Sequence, residues 1–390
     1  MGMQIAGVDS CDILTRNYCA ARGLPGTENS TPDIWFPKRD QWVGRIKFEI
    51  CRHLYRFNSP AKQVPTQYSH GNSLGRFFCW YMLQVLQLHC GVRYHPDRRF
   101  KPDFCQPRDV FAHGIMDNDG EGGTCASMPV VYVSVGRALG FPLYLVETRG
   151  HAFFRWDDPQ GTTIRWTNPN LVLWIPPERF NVEGSGEGIA FFSDSYYTQW
   201  PELWTEIDIR HGMYLRSMTP KEELAAFLIE RGECNWDLGN KTEALKSYFF
   251  ARQLAPDDER YKWVHAKRSY EFQQWENSQR EFDRLDHEIQ RITREAERRR
   301  RLPGVDDFGH GPSCQCFHCR QSREAAQQQN GVPGHPPNCP CPGCFMQRQL
   351  PHAPAFAPLG VSNQVPHRPI PGIHPLLPGF QQPVPRLPGF

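Results

Sequence analysis

Apolar residues recur at helical spacing in two stretches before residue 92. In "QWVGRIKFEICRHLYRF", an amphipathic helix is predicted because the apolar side chains fall near the helical period, at Val43, Ile46, Ile50 and Leu54. The stretch "SLGRFFCWYMLQVLQLHCG" has apolar residues on most faces of a helix. It therefore predicts a largely buried helix that ends at Gly91.

Further along, the pattern changes from helical to alternating. From Thr124 the apolar spacing is helical, with Thr124 as the predicted N-cap and Gly140 just past the end. Because Pro129 has no N–H to donate to the Cys125 carbonyl, we expect an irregular first turn. "PLYLVETRGHAFFRWDD" predicts two strands joined at Arg149–Gly150, and "TIRWTN" and "ERFNVEG" predict two more. A helix followed by strands favours an α+β core.

The chain from Pro220 to about Arg301 is helical in pattern throughout. "AAFLIERGECNWDLGNKTEALKSYFFARQLAPDD" resembles a tetratricopeptide repeat (TPR), with small residues such as Gly232 where two helices would cross and Pro256 after the second helix. A lone repeat cannot bury its apolar face, so we expect the next helix to stack on it. This TPR-like module is predicted to bind a protein partner.

Composition and charge narrow the class of protein. The chain has 390 residues, 39% of them hydrophobic, which predicts two folded units plus tails. A net charge of +2 provides no general attraction to nucleic acid or to an anionic membrane. No apolar run is long enough to span a bilayer, and no signal peptide is recognisable. Scattered cysteines without such a signal predict reduced thiols in a cytoplasmic protein.

These patterns divide the chain into five predicted segments. Residues 1–70 form an N-terminal helical and irregular segment, and 71–218 form the α+β domain. The TPR-like module and a charged helix follow. Two tail segments complete the chain, the first rich in cysteine and the second rich in proline. The TPR-like module with the charged helix is predicted over 219–301, the cysteine-rich segment over 302–350 and the proline-rich segment over 351–390.

Cys125 is the candidate nucleophile. "GGTC" places it at or beside a helix start, where unpaired N–H groups and the helix dipole favour a thiolate. Gly122 and Gly123 are expected to leave room for a substrate carbonyl and to point backbone N–H groups at an oxyanion. The alternative is that Cys125 is an ordinary buried thiol that only fills the core.

A nucleophilic cysteine needs a base and a group that orients the base. His151 follows a turn glycine and begins the strand "HAFFRW", which makes it the candidate base. In "RFNVEGSG", Asn181 and Glu183 share one face of a strand, so the local pattern leaves both open as the orienting group. Three nearby tryptophans either exclude water from the site or fill a core: Trp156, Trp166 and Trp174.

The region from about Leu83 to Pro201 resembles the transglutaminase-like superfamily. The motifs that carry the resemblance are "GTCASMPV", "LGFPLYLV", "GHAFFRWD", "RFNVEGSGEG" and "YYTQWP". The chain is most similar to a bacterial transglutaminase-like group with a C-terminal TPR segment. The resemblance implies a papain-like α+β fold in which the helix that carries the cysteine packs on an antiparallel sheet.

The resemblance also implies a catalytic triad. Cys125 would be the nucleophile, His151 the base and Glu183 the third member, with Asn181 as the alternative. The reaction implied is cleavage of a peptide or side-chain amide bond through a thioester, completed by water or by an amine. Two departures stand out: Glu183-Gly184-Ser185 replaces the family's Asp-Pro-Thr, and Glu183 lies 32 residues after His151, which implies an insertion.

The same residues allow a non-enzymatic interpretation. In it the chain is a catalytically idle scaffold of the same fold, which binds protein partners through its TPR-like helices and its cysteine-rich tail.

Two segments of the tail, "CQCFHC" and "CPCPGC", repeat the spacing C-x-C-x-x-C. Thiolates at C-x-x-C spacing can bind one tetrahedral zinc ion, and in a segment this poor in apolar residues the metal would supply the folding energy. His318 and His335 could add ligands for a second ion. No cofactor is expected for catalysis. The six predicted zinc ligands are Cys314, Cys316, Cys319, Cys339, Cys341 and Cys344.

Overall fold

The structure is a computed structural model. It describes residues 7–57, 70–98, 103–166, 172–186, 188–212, 214–300, 313–315, 317 and 320–321. Within these ranges the chain forms two compact units, of which the first extends through Phe272 and the second begins at Gln273. The candidate triad lies in the first unit.

The first unit is built mainly of helices that surround two small sheets. In chain order its described α-helices are α1 (Ile13–Ala21), α2 (Pro32–His53), α3 (Leu74–His89), α4 (Pro107–Val110), α5 (His113–Met116), α6 (Met128–Ala138), α7 (Asp194–Tyr197), α8 (Glu206–His211), α9 (Pro220–Asp237) and α10 (Lys241–Leu254), and α11 (Glu259–Arg300) begins in this unit. Short 3₁₀ turns occupy Val8–Ser10, Leu54–Arg56 and Pro96–Arg98.

Both sheets are antiparallel. The larger has the strand order β1–β2–β5, and the smaller is a hairpin of β3 and β4. The register pairs Thr148 with His151 at the β1–β2 turn and Arg155 with Asn181 between β2 and β5. The strand bounds are β1 (Leu143–Thr148), β2 (His151–Asp158), β3 (Thr162–Arg165), β4 (Val172–Ile175) and β5 (Glu178–Val182). The protein is therefore of mixed α and β class, as the sequence predicts.

The helix α6 lies at the centre of the core. It packs against β1 and β2 on one side and against α1, α2 and α3 on the others. Every residue from Met128 through Gly136 is buried, which explains why this helix has no polar face. Close packing requires a glycine at 136, because a Cβ there would lie 2.1 Å from Leu143 Cδ1. The core thus fixes the helix that follows the Cys125 loop.

Several predicted elements are confirmed, and others need correction. The helix over 74–89 and the two strands around Gly150 form as expected. The amphipathic helix is longer than predicted, because Thr31 caps it and Pro32 occupies its first position. The strand β4 was not predicted, since only Ile175 of its four residues is buried and no apolar alternation marks it. With β3 it forms a hairpin in the long interval between His151 and Glu183.

The helices α9 and α10 pack side by side, as the sequence predicts for 220–254. A Cβ at Gly232 would lie 2.2 Å from the ring of Tyr248, so the helices can approach this closely only with glycine there. The first turns of α11 join them through the Arg268–Glu233 ion pair and a ring contact between His265 and Phe249. Among the described residues, no helix combines the length and the apolar character that crossing a membrane requires.

Candidate active site

The loop that carries Cys125 is held by side-chain hydrogen bonds. The hydroxyls of Thr124 and Ser127 both donate to the carbonyl of Asp109, at 2.7 and 2.9 Å. Asp109 is itself buried and paired with Arg98 at 2.7 Å. Cys125, 6% exposed, therefore lies in a turn anchored on both sides.

The predicted helix start at Thr124 is wrong by one turn. Because Pro129 has no N–H, no bond reaches back to the carbonyl of Cys125, and α6 begins only at Met128. Thr124 instead organises the preceding turn: its carbonyl accepts from the N–H of Ser127 at 3.2 Å, and its hydroxyl accepts from the N–H of Ala126 at 3.2 Å. The Cys125 thiol thus precedes the helix by one turn instead of lying inside its first turn.

The two glycines before the loop do not have the expected role. The N–H of Gly122 donates to the Gly114 carbonyl at 3.2 Å, and the N–H of Gly123 donates to the Arg93 carbonyl at 3.0 Å. Neither points at an oxyanion. Their small size is what the fold uses, since a Cβ at Gly123 would lie 2.5 Å from Ser127 Oγ and one at Gly122 2.8 Å from the Arg93 carbonyl oxygen.

His151 opens β2 and is placed between Cys125 and Glu183. Its Nε2 lies 2.7 Å from Glu183 Oε2, and its ring also interacts with the Cys125 side chain. Burial alone would lower its pKa. The Glu183 carboxylate, its hydrogen bond to the ring and the neighbouring Cys125 side chain outweigh burial and raise the pKa of His151 to about 10. The ring thus holds its proton as an imidazolium over the neutral range.

Glu183 is positioned by partners on three sides. Its backbone exchanges two hydrogen bonds with Ala190, at 2.8 and 3.1 Å, just past the end of β5. Its carboxylate accepts from both the hydroxyl and the backbone N–H of Ser185, and from the Tyr197 hydroxyl at 3.2 Å. Burial works against its ionised form, but His151 and the two hydrogen bonds from Ser185 together lower the pKa of Glu183. The carboxylate is therefore a fixed negative charge beside the imidazole.

Asn181 belongs to a separate network. Its side-chain oxygen accepts from Arg155 Nε at 2.6 Å, and its Nδ2 donates to Asp194 Oδ1 at 2.7 Å. Arg155 also donates to Asp194 at 2.6 Å. The three side chains therefore bind one another, and none of these hydrogen bonds involves His151. Of the two residues that the sequence left open, Glu183 contacts the histidine. The pairing register explains this, since Asn181 lies directly opposite Arg155.

The aromatic residues beside the histidine are not the predicted ones. Trp156 is buried in the core against Phe180, and Trp174 is 57% exposed on the hairpin. Trp200 instead lies edge-on to the His151 ring, with ring centroids 4.8 Å apart, and Tyr197 stacks parallel to it at 6.2 Å. Both lie in the motif "YYTQWP", but the motif alone does not indicate a contact with a histidine more than forty positions away. Both rings thus lie beside the imidazole.

The zinc prediction falls mostly outside the described residues. Of the six cysteines, only Cys314 is described, and no cluster of three or more metal-binding side chains occurs in the part of the chain that the structure covers. Zinc binding by the tail stays a prediction. We expect full-length protein purified without added zinc to contain about one or two zinc ions per chain, and protein truncated after Leu302 to contain none. Metal analysis by mass spectrometry measures both, and equal substoichiometric zinc in the two proteins would contradict the prediction.

No family model matches this chain, and neither a curated protein nor a solved structure matches it significantly.

Proposed function

We propose that the protein is a cysteine enzyme of transglutaminase-like type that cleaves peptide or side-chain amide bonds through a thioester acyl-enzyme. One observation carries the proposal: the His151 ring is held between the Cys125 thiol and the Glu183 carboxylate. A nucleophile, a base and a group that orients the base are the minimum for acyl transfer by cysteine. The resemblance of the motifs around these residues to the transglutaminase-like superfamily supports the same chemistry.

The geometry assigns a proton path. Because Nε2 of His151 contacts Glu183, Nδ1 is the ring nitrogen left to hold, in the imidazolium, the proton that the thiol gives up. The resulting thiolate attacks the carbonyl carbon, and the π electrons of the carbonyl move to its oxygen. As the tetrahedral intermediate collapses, the C–N bond breaks and His151 gives its proton to the leaving amine. Water or a second amine then attacks the thioester, with His151 as the base, and releases Cys125.

The alternative proposal, an idle scaffold, is supported by the surface of the helix pair. Phe249 and Phe250 on α10 are 44% and 41% exposed, and with Leu245 and His265 they line an open groove of about 520 Å³. Exposed aromatic side chains of this kind are common where a helical module contacts a partner. The two proposals differ in what they require of Cys125, so its reactivity decides between them.

The test compares the alkylation rates of cysteines within one protein. We expect iodoacetamide at pH 7 to modify Cys125 about tenfold or more faster than Cys51 or Cys90, although Cys125 is the more buried. The reason is that burial raises the pKa of the Cys51 thiol and raises the pKa of Cys90 to about 11, whereas the His151 imidazolium beside Cys125 stabilises its thiolate. Peptide mapping by mass spectrometry gives each rate.

The denatured protein is the control, since there the three thiols should react alike. If Cys125 reacts no faster than Cys51 and Cys90 in the folded protein, the scaffold proposal is preferred.

A further inference from the structure

The second unit begins within α11 and includes a long exposed stretch of that helix. Every residue from 277 to 298 is exposed. At 1.5 Å per residue, this stretch is about 33 Å long. Four large apolar side chains on it are 49–67% exposed: Phe282, Leu285, Ile289 and Ile292. Single exposed apolar residues are ordinary on a protein surface, so the spacing decides whether these four form one surface.

The four side chains follow the spacing of a heptad repeat. From Phe282 the intervals are three, four and three residues, which are the a and d positions of successive heptads. The same register continues back to Trp275 and on to Ala296, and its one polar position in between is Ser278. Such spacing places the side chains in one narrow line that suits a second helix at a shallow crossing angle. We call this line the apolar seam: Trp275, Phe282, Leu285, Ile289, Ile292 and Ala296.

Acidic residues occupy both edges of the apolar seam. Glu281, Glu288 and Glu295 each precede an a position and therefore lie along one edge, the g positions. Asp286 follows Leu285 and lies on the other edge, the e positions. Between 279 and 295 no e or g position of the described helix carries a lysine or an arginine, because the arginines of this stretch lie at outer positions. A docking helix would thus meet a surface that is apolar in the middle and negative at both edges.

The glutamates at the edge remain able to bind an incoming cation. Glu281 pairs with Arg284 at 2.6 Å and Glu288 pairs with Arg291 at 2.7 Å, each with a residue three positions along the same helix. All four side chains are more than half exposed. Because water screens exposed pairs of this spacing, each pair contributes little to the stability of the helix. An opposing lysine or arginine can therefore share the carboxylate with the arginine at little cost.

Self-association of α11 would place like charges together. In a parallel pair of helices, each g position faces the e position of the following heptad, so Glu281 would face Asp286 of a second copy. In an antiparallel pair the g edges face each other, so glutamate would face glutamate. A helix with lysine or arginine at its own edge positions would instead form ion pairs in either orientation. The charges at the edges therefore favour a basic partner over a second copy.

We propose that the apolar seam of α11 is a docking surface for an amphipathic helix of a partner protein, whose own line of apolar side chains is flanked by lysine or arginine. The partner helix lies along α11 and packs its apolar side chains between those of the seam. Its cations lie opposite the carboxylates at the two edges. This interaction is independent of the reactivity of Cys125.

Two designed peptides test the kind of partner that the seam accepts. The first is a fluorescein-labelled peptide of about four heptads with isoleucine and leucine at a and d and lysine at e and g. The second differs only in having glutamate at e and g. We expect the full-length protein to bind the lysine peptide about 100-fold more tightly than the glutamate peptide, as measured by fluorescence anisotropy. Glu281→Gln combined with Glu288→Gln should weaken binding of the lysine peptide about tenfold, because two ion pairs are lost.

A double variant of the seam separates docking from charge attraction alone. Leu285→Gln combined with Ile289→Gln keeps every charge and a good helix former at both positions. It should lower the affinity for the lysine peptide about 100-fold or more, because the apolar contact is lost. The matched control is Tyr270→Gln, which removes an exposed aromatic side chain of α11 outside the seam and should leave the affinity unchanged. Circular dichroism checks that the helix content is the same in each variant.

The proposal is overturned if neither peptide binds, if both bind equally, or if the seam variant keeps the affinity of the wild type. It is also overturned if light scattering shows that the wild type is a dimer and the seam variant a monomer, because a second copy would then occupy the seam. Binding of the lysine peptide only after truncation at Leu302 would contradict it as well, since the tail of the chain would then be the occupant.

Discussion

Cys125→Ala is expected to abolish the acyl-enzyme and to lower turnover of p-nitrophenyl acetate by on the order of 10⁴-fold. The physical reason is that Ala retains the shape of the loop but removes the only atom in the site that can form the thioester. His151 and Glu183 remain, but without the thiol they have no nucleophile to activate. Intact-mass spectrometry detects the acetyl adduct, and release of p-nitrophenol gives the rate.

The control for this prediction is Cys51→Ala on α2, an exposed thiol that contacts no triad residue. It should retain the adduct and the rate of the wild type. An acetyl adduct of undiminished yield in Cys125→Ala, mapped to another cysteine, would show that the chemistry belongs elsewhere.

In Glu183→Gln we expect Cys125 to react as fast as in the wild type only at alkaline pH. In the wild type the carboxylate keeps the pKa of His151 at about 10, so an imidazolium is available to stabilise the thiolate well below that pH. Gln leaves the size of the side chain but removes the charge, and burial then lowers the pKa of the histidine. The neutral ring stabilises the thiolate less. We expect iodoacetamide alkylation at pH 6 to slow about tenfold or more, which corresponds to a shift of one pKa unit or more.

At pH 10 and above the difference between the two proteins should disappear, because hydroxide then deprotonates the thiol without help from the ring. Glu233→Gln is the matched control: it neutralises a carboxylate paired with Arg268 far along the chain, and it should leave the alkylation profile of Cys125 unchanged. If the alkylation rates of Cys125 in the wild type and in Glu183→Gln coincide from pH 6 to 10, Glu183 does not act on the histidine.

Local patterns in the sequence predict the elements but only part of the site. Alternation in "HAFFRW" and the turn at Gly150 are enough to place His151 at the start of β2. The choice between Asn181 and Glu183 is not local, because both lie on one face of the strand and only the β2–β5 register separates them. The start of α6 could be placed correctly by giving the missing N–H of Pro129 more weight than the capping preference of Thr124.

Contacts between distant segments explain what the sequence does not reveal. Tyr197, at the end of α7, and Trp200, just after it, reach His151 from a distant segment, and the motif "YYTQWP" that contains them does not indicate that they contact the histidine. Gly122 and Gly123 suggested oxyanion donors because glycine permits close approach. The fold uses that freedom for packing, and the N–H groups of both glycines donate to carbonyls within the protein.

Glu223 limits how this protein can be divided. This buried carboxylate on α9 pairs with Arg16 on α1 and, at 2.6 Å, with Arg137 at the end of α6. Separating the helix pair from the α+β part would leave two guanidinium groups without their counter-charge, at a cost of about 3–5 kcal/mol for a buried partner. The smallest portion that could be transplanted into another protein, or exchanged as a module in evolution, therefore includes α9 together with the sheet.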